Sequence, residues 1–317
     1  KSIRGSRPEP GLRPQHLAAV DLVAAYCDAD VDGAELASET VTFDPGETRL
    51  RTLTVSIPTA GSVTLLLDTV LALATVADEP IIVTATGGTD VKWSPTVAYL
   101  RRVKLPLLAR FGLDASLLLG RTGFYPAGGG EVTLRLRPSS LSRIDLPDRG
   151  ALDRVEIYSK ASTDLAERDV AERQADHARE RLRAADIRAT GIETTDPTVE
   201  YVETRSTGST LLLRGVYERS LAGFDALGER GRTAEAVADR AVEAFTGFHD
   251  GAAAVEEHMA DQLLLFLALA GGRVRIARVT EHVETTLSLL EAFGVDVTLD
   301  VHEDETATVS ASPIDTA

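Results

Sequence analysis

The chain has 317 residues, 44% hydrophobic and 26% charged, with 49 acidic residues against 33 basic ones and a formal net charge of −16. Its Val, Leu, Ile and Ala, mixed with interspersed charges, exclude wholesale disorder, and a length of about 150 residues per domain favours two domains. The longest apolar run, 263–270, is far short of the roughly 20 residues that cross a bilayer. Cys27 is the only cysteine, which excludes a disulfide framework and a cysteine-based zinc site.

No signal-peptide pattern opens the chain, so the expectation is a soluble, cytoplasmic protein with no membrane partner. Four basic residues are lysines (Lys1, Lys92, Lys104, Lys160) and the rest are arginine. An acidic, lysine-poor composition resembles that of halophilic proteins, where high salt screens self-repulsion; a GC-rich genome is the other source of the same bias. A nucleic-acid site on such a chain has to be a local arginine cluster in a negative surround.

Apolar spacing predicts a helix over 14–27, with Pro14 in its first turn, and strands near 39–43 and 50–57. A buried helix over 62–77 and a strand over 81–86 follow, and Ser94-Pro95 reads as the cap and first turn of a helix to about 111. Strands near 113–119 and 131–137 flank the turn PAGGG, 126–130. A charged region over 151–250 holds strands at 154–160, 198–205 and 209–216 and helices at 164–185 and 233–246. A second set closes the chain: helix 256–270, strand 273–278, helix 281–293 and strands 296–301 and 305–310.

Segments 62–137 and 256–310 share one order, helix-strand-helix-strand-strand, which reads as an internal repeat. The fold class expected is α/β (α+β): a large domain of repeated units, 1–150 with 251–317, and a smaller α/β domain inserted at 151–250. The opening helix-strand-strand matches only the back half of a unit, so a strand and a helix are expected upstream of Lys1.

No Walker motif, nucleophile elbow or His-Glu-x-x-His is present, and the six histidines show no metal-ligand spacing. His282 stands out because Thr280 reads as an N-cap, placing the ring in a first helical turn. There the helix dipole favours the neutral, nucleophilic imidazole, and backbone N–H groups can receive a phosphate. A solvent-facing histidine is the alternative. His258, Asp261 and Gln262 open another helix, either as solvated polar ends or as ligand contacts. Arg4, Arg7 and Gln15 lie in a Pro/Gly-punctuated stretch that could clamp phosphates, or form a basic loop balanced by acid.

Six segments together resemble the RNA 3′-terminal phosphate cyclase family, in its order: IRGSRPEPGLRPQHLAAV (3–20), IPTAGSVTLLLDTVLALA (57–74), GGTDVKWSPTVAYLRRV (87–103), GFYPAGGGEV (123–132), EEHMADQLLLFLALAGG (256–272) and TEHVETTLSLLE (280–291). The resemblance implies three βαβαββ-type repeats with a small domain inserted before the last. It implies ATP-dependent conversion of an RNA 3′-phosphate to a 2′,3′-cyclic phosphate, with His282 adenylated and a divalent metal, Mg or Mn, whose ligands are not assigned. His258, Met259, Ala260, Asp261 and Gln262 match the nucleotide-binding segment. Tyr125 and Pro126 fall at the adenine pocket, and Arg4, Arg7 and Gln15 at phosphate contacts to RNA or triphosphate. The family's amino-terminal Gly-rich segment, with its Glu and a further Arg, is not in this sequence. His258 replaces a common Tyr, and Asp68, also placed near ATP, replaces a common Gln. The alternative within this resemblance is a non-catalytic cyclase-like protein that binds RNA or takes part in ribosome assembly; the enolpyruvyl transferases of related architecture find no motif here.

Overall fold

The computed structural model describes residues 1–5, 7–48, 51–185 and 196–314. α1 (Pro14–Cys27) runs over its predicted span and stops at Asp28, whose φ of 47° turns the chain out of the helix. β1 (Asp30–Asp32) and β2 (Thr42–Asp44) pair as a short antiparallel ribbon. β1 was not expected, because three residues reading DVD carry no period to detect. β3 (Thr52–Ser56) occupies the strand predicted over 50–57, of which residue 50 lies outside the described residues.

α2 (Val63–Leu71) is capped by Ser62, whose side chain accepts from Leu65 N at 3.2 Å, and tightens into a 3-10 turn at Ala72–Thr75. β4 (Ile81–Gly87) follows. The next helix starts later than Ser94-Pro95 predicts: α3 is Val97–Tyr99, and the Ser94 hydroxyl donates back to Val91 O at 3.1 Å. A π-helical turn at Leu100–Lys104 then leads into α4 (Leu105–Ala109), with Leu105 N–H donating to Leu100 O. Pro106 explains the wide turn, since it lacks an N–H and its ring crowds the carbonyl four residues back.

β5 (Ala115–Arg121) and β6 (Gly130–Leu136) complete a sheet of order β3-β4-β6-β5, parallel between β3 and β4 and antiparallel elsewhere. Its alternation is plain in β4 and β6, where Val83, Ala85, Val132 and Leu134 are wholly buried.

β7 (Ile144–Leu146) is another short strand missed in the sequence. Beyond it, β8 (Leu152–Ser162), a 3-10 turn at Thr163–Arg168, α5 (Val170–Ala184), β9 (Thr198–Val202), β10 (Ser209–Tyr217), β11 (Leu221–Leu227) and α6 (Ala234–Asp250) succeed one another. The helix predicted over 164–185 is broken at Asp169, which sits at φ 49°. β11 escaped prediction because LAGFDAL has no β-branched residue. The sheet order is β11-β10-β8-β9. Val155, Ile157, Leu211 and Leu213 on one of its faces share a core with Ala175 and Leu182 of α5 and Val242 and Phe245 of α6.

The closing elements are α7 (Glu257–Ala270), β12 (Gly272–Ile276), α8 (Glu281–Ala292), β13 (Val297–Val301) and β14 (Ala307–Ala311). Their sheet runs β13-β14-β12-β7, with β7 parallel to β12 and the other pairs antiparallel. This repeats the plan of β5-β6-β4-β3 strand for strand, so the expected α/β class and its βαβαββ unit are both present. The chain divides into two compact units: Lys1–Val97, Asp114–Ser139 and Val202–Gly208 in one, Ala98–Leu113, Ser140–Tyr201 and Ser209–Ala317 in the other. Among the described residues no helix is long and apolar enough to cross a membrane.

Candidate active site

In the second unit, chemistry gathers at the starts of α7 and α8. Thr280 caps α8 as its sequence position predicts, with its hydroxyl accepting from Val283 N at 3.2 Å. His282 is therefore the second helical residue, and its ring is exposed. Glu281 and Glu284 share that first turn and place negative charge around the ring.

α7 has an unexpected cap. Glu256, 2% exposed, accepts from His258 N at 2.6 Å and Met259 N at 3.0 Å, and from the hydroxyl of the buried Tyr99. Burial, with the Glu256 carboxylate beside it, pushes the Tyr99 phenol well above its ordinary value, so it remains a donor. The His258 ring lies 3.5 Å from Glu256 and is 78% exposed. A hydrogen bond to Glu256 raises its pKa to about 9 against the opposing effect of burial, although water screens so open a pair. Met259 and Ala260 are wholly buried and serve the core of α7, leaving only their backbone to meet a ligand.

Asp261 is half-buried, and burial raises its carboxyl above the usual range while the His282 ring and the Lys104 ammonium oppose the rise. Lys104 ends the π-helical turn at 1% exposure, and its Nζ donates to Gln262 Oε1 at 3.1 Å. An ammonium offers donors only, so it fixes the Gln262 amide with its oxygen inward and its NH2 turned away as a donor. A buried cation is expensive unless its surroundings use it, and here it supports both Gln262 and the charge of Asp261. Arg278 pairs with Glu257, fastening the chain before α8 to the first turn of α7.

The first unit holds the other expected residues. Tyr125 is 72% exposed and precedes Pro126 through a cis peptide. PAGGG is the turn between β5 and β6 that its spacing predicts, closed by Gly128 N to Phe124 O at 2.8 Å and Arg121 Nε to Gly129 O at 2.6 Å. Gly128 and Gly129 have φ of 59° and 72°, the region that favours glycine. Gln15 accepts from Ser62 N at 3.2 Å, tying α1 to the start of α2. Arg4 donates to Glu9 O at 2.8 Å and Gly11 O at 3.2 Å, so it braces its own loop, whereas Arg7 is exposed. Asp68 lies half-buried on α2.

Within the second unit the structure thus associates His282, Asp261, Gln262 and His258, and adds Glu256, Tyr99, Lys104 and Arg278. Repeated sheets carrying polar helix starts define the class first: a protein built from βαβαββ units. A profile described as RNA 3′-terminal phosphate cyclase matches residues 1–301. A Halobacterium salinarum protein named RNA 3′-terminal phosphate cyclase is 42% identical over 320 residues, covering 98% of this chain and 91% of the relative. Proteins of the same name from Methylococcus capsulatus and Ignicoccus hospitalis are 40% and 37% identical, covering 94% and 95% of this chain and 84% and 85% of theirs. The chain belongs to the RNA 3′-terminal phosphate cyclase family.

Proposed function

We propose that the chain cyclises RNA 3′-terminal phosphates at the expense of ATP, with His282 as the covalent nucleophile. The observation that carries this reading is the exposed His282 ring in the capped first turn of α8, in the field of the Asp261 carboxylate. A neutral ring nitrogen attacks the α-phosphorus of ATP; pyrophosphate leaves and a His282–AMP phosphoramidate forms. An oxygen of the RNA 3′-phosphate then attacks that phosphorus and frees His282. The neighbouring 2′-hydroxyl attacks the activated 3′-phosphate, its proton passes to solvent, and AMP leaves the 2′,3′-cyclic phosphate.

The protein's part is positioning and charge balance. The α8 start presents N–H groups to an anion, Gln262 offers its donors, and the protonated His258 supplies positive charge below about pH 9. Arg4, Arg7 and Gln15 serve RNA or triphosphate oxygens in this reading, Tyr125 and Pro126 the adenine, and Asp68 the nucleotide's surroundings. Among the described residues no group of three His, Cys, Asp or Glu side chains could hold a metal. In this reading a Mg or Mn ion accompanies the nucleotide phosphates. A cytoplasmic location is part of the same proposal.

Incubation with ATP labelled at the α-phosphate, without RNA, should leave acid-labile label on the wild type and none on His282→Ala. No label on either would overturn the covalent mechanism and favour the non-catalytic binding protein.

A further inference from the structure

The outer face of β8 and β10 carries a cluster that the proposed reaction does not use. Arg154, Glu156 and Tyr158 alternate on the face of β8 opposite its apolar core, and Arg214 of β10 lies directly across from Glu156. Glu156 accepts from Arg154 Nε at 2.7 Å, Tyr158 Oη at 2.7 Å and Arg214 Nη1 at 2.8 Å. Burial pushes its carboxyl up, but these three donors prevail and hold it below the usual range. The helical segment contributes Arg102, whose guanidinium lies 3.8 Å from the Tyr158 ring centroid, and Arg110, which is exposed.

The two rows run alongside each other. Arg102 stands at the Tyr158 end, while Arg110 approaches Glu218 O at 3.5 Å, just beyond β10, near the end where Arg154 faces Val216. Four residues of strand and eight of helix each span about 12–13 Å, so the guanidiniums form a strip.

Positive charge exceeds negative along it. Four arginines meet three carboxylates, Glu156, Asp153 and, across Leu212 from Tyr158, Asp225; Arg154 takes the first two, at 2.7 Å and 2.5 Å. The buried Arg214 Nε has no hydrogen-bond acceptor among the described residues. Arg110 is lowered from its ordinary value by burial and by the neighbouring Arg214 cation. Crowded guanidiniums on a chain of net charge −16 are a local anion site, to which the buried Arg214 Nε adds charge rather than a contact.

We propose that this strip, Arg102, Arg110, Arg154 and Arg214 with Tyr158, binds the phosphodiester backbone of the RNA upstream of its 3′ end. It rests on the RNA-cyclase reading above. Phosphate oxygens pair with the solvent-facing guanidiniums, and the Arg102 plane stacked on Tyr158 offers its other face to an unpaired base. Such contacts hold RNA without reading its sequence.

The test is fluorescence anisotropy with a dodecamer RNA bearing a 3′-phosphate, the same RNA with a 3′-hydroxyl, and a trinucleotide 3′-phosphate. Each is titrated across a series of KCl concentrations in which circular dichroism reports an intact fold. Arg110→Glu and Arg154→Gln should each weaken dodecamer binding about three- to tenfold and flatten its salt dependence by close to one counterion per lost arginine. Both should leave trinucleotide binding and self-adenylation unchanged, and Arg273→Gln, outside the strip, should change neither RNA. Unchanged dodecamer affinity and salt slope in both folded variants would overturn the strip, as would equal wild-type affinity for dodecamer and trinucleotide. If the wild type fails to self-adenylate yet both variants weaken the dodecamer, the catalytic reading falls and the strip stands.

Discussion

The sheets β3-β4-β6-β5 and β7-β12-β14-β13 have the same strand order, and each has one parallel pair followed by two antiparallel ones. The helices that lead into their second strands nevertheless begin differently. α2 is capped by the neutral Ser62, which also bonds the Thr64 hydroxyl at 2.8 Å and donates its backbone N–H to Gln15 Oε1. α7 is capped by a buried carboxylate, with Tyr99 beneath it and His258, Asp261 and Gln262 in the turns that follow. One copy closes its helix start with small hydroxyls, while the other fills it with titratable groups. The repeat alone therefore does not confer chemistry; what occupies the helix start does.

Removing the caps should widen this contrast most. Glu256→Ala leaves a buried tyrosine hydroxyl and two helix N–H groups without their acceptor, and should cost about 3 kcal/mol. Ser62→Ala should cost about 1 kcal/mol, the ordinary value for a neutral cap. Thermal midpoints of the two variants measured side by side give the comparison, and equal shifts would show that the buried carboxylate adds nothing.

Lys104→Met should come next. Without its cation Asp261 protonates at higher pH, so the acid limb of self-adenylation moves up, and the Michaelis constant for ATP rises about tenfold as the Gln262 amide loses its orientation. Lys104→Arg should restore the limb. A variant with a lowered thermal midpoint but an unchanged pH profile would assign Lys104 to packing alone.

The smallest effect should come from His258. Its pKa rises from 6.5 to about 9 on folding, so its ion pair stabilises fully below about pH 6.5 and the contribution is lost as pH climbs through 9. With the ring 78% exposed, His258→Gln should remove no more than about 1 kcal/mol, seen at pH 6 and absent at pH 10.

The sequence made the start of α8 legible and hid much of α7's. Thr280 is a preferred cap residue, and the structure keeps it in that role. Glu256 is not a usual cap, and its partner Tyr99 lies 157 residues away, a separation no local pattern spans. Lys104 reads as a surface residue of an amphipathic helix until the π-helical turn before Pro106 carries it inside. The helix expected from Ser94 begins at Val97 because that hydroxyl turns back to Val91, and neither β1 nor β7 is long enough to show alternation. The arginine strip was legible only as a requirement, since its members come from three separate segments brought together by β8–β10 pairing and the Arg102 stack.

β7 has a consequence for the order of assembly. Its parallel partner β12 begins at Gly272, so the β11-β10-β8-β9 sheet and its helices all emerge between two strands that must meet. At about 5–20 residues per second of synthesis, β7 waits on the order of 6–25 s for its neighbour. Through that interval the intervening region can close its own core, while α7 emerges only at its end and α8 after it. The part of the chain with the densest chemistry is thus among the last to fold, onto a strand laid down well before it.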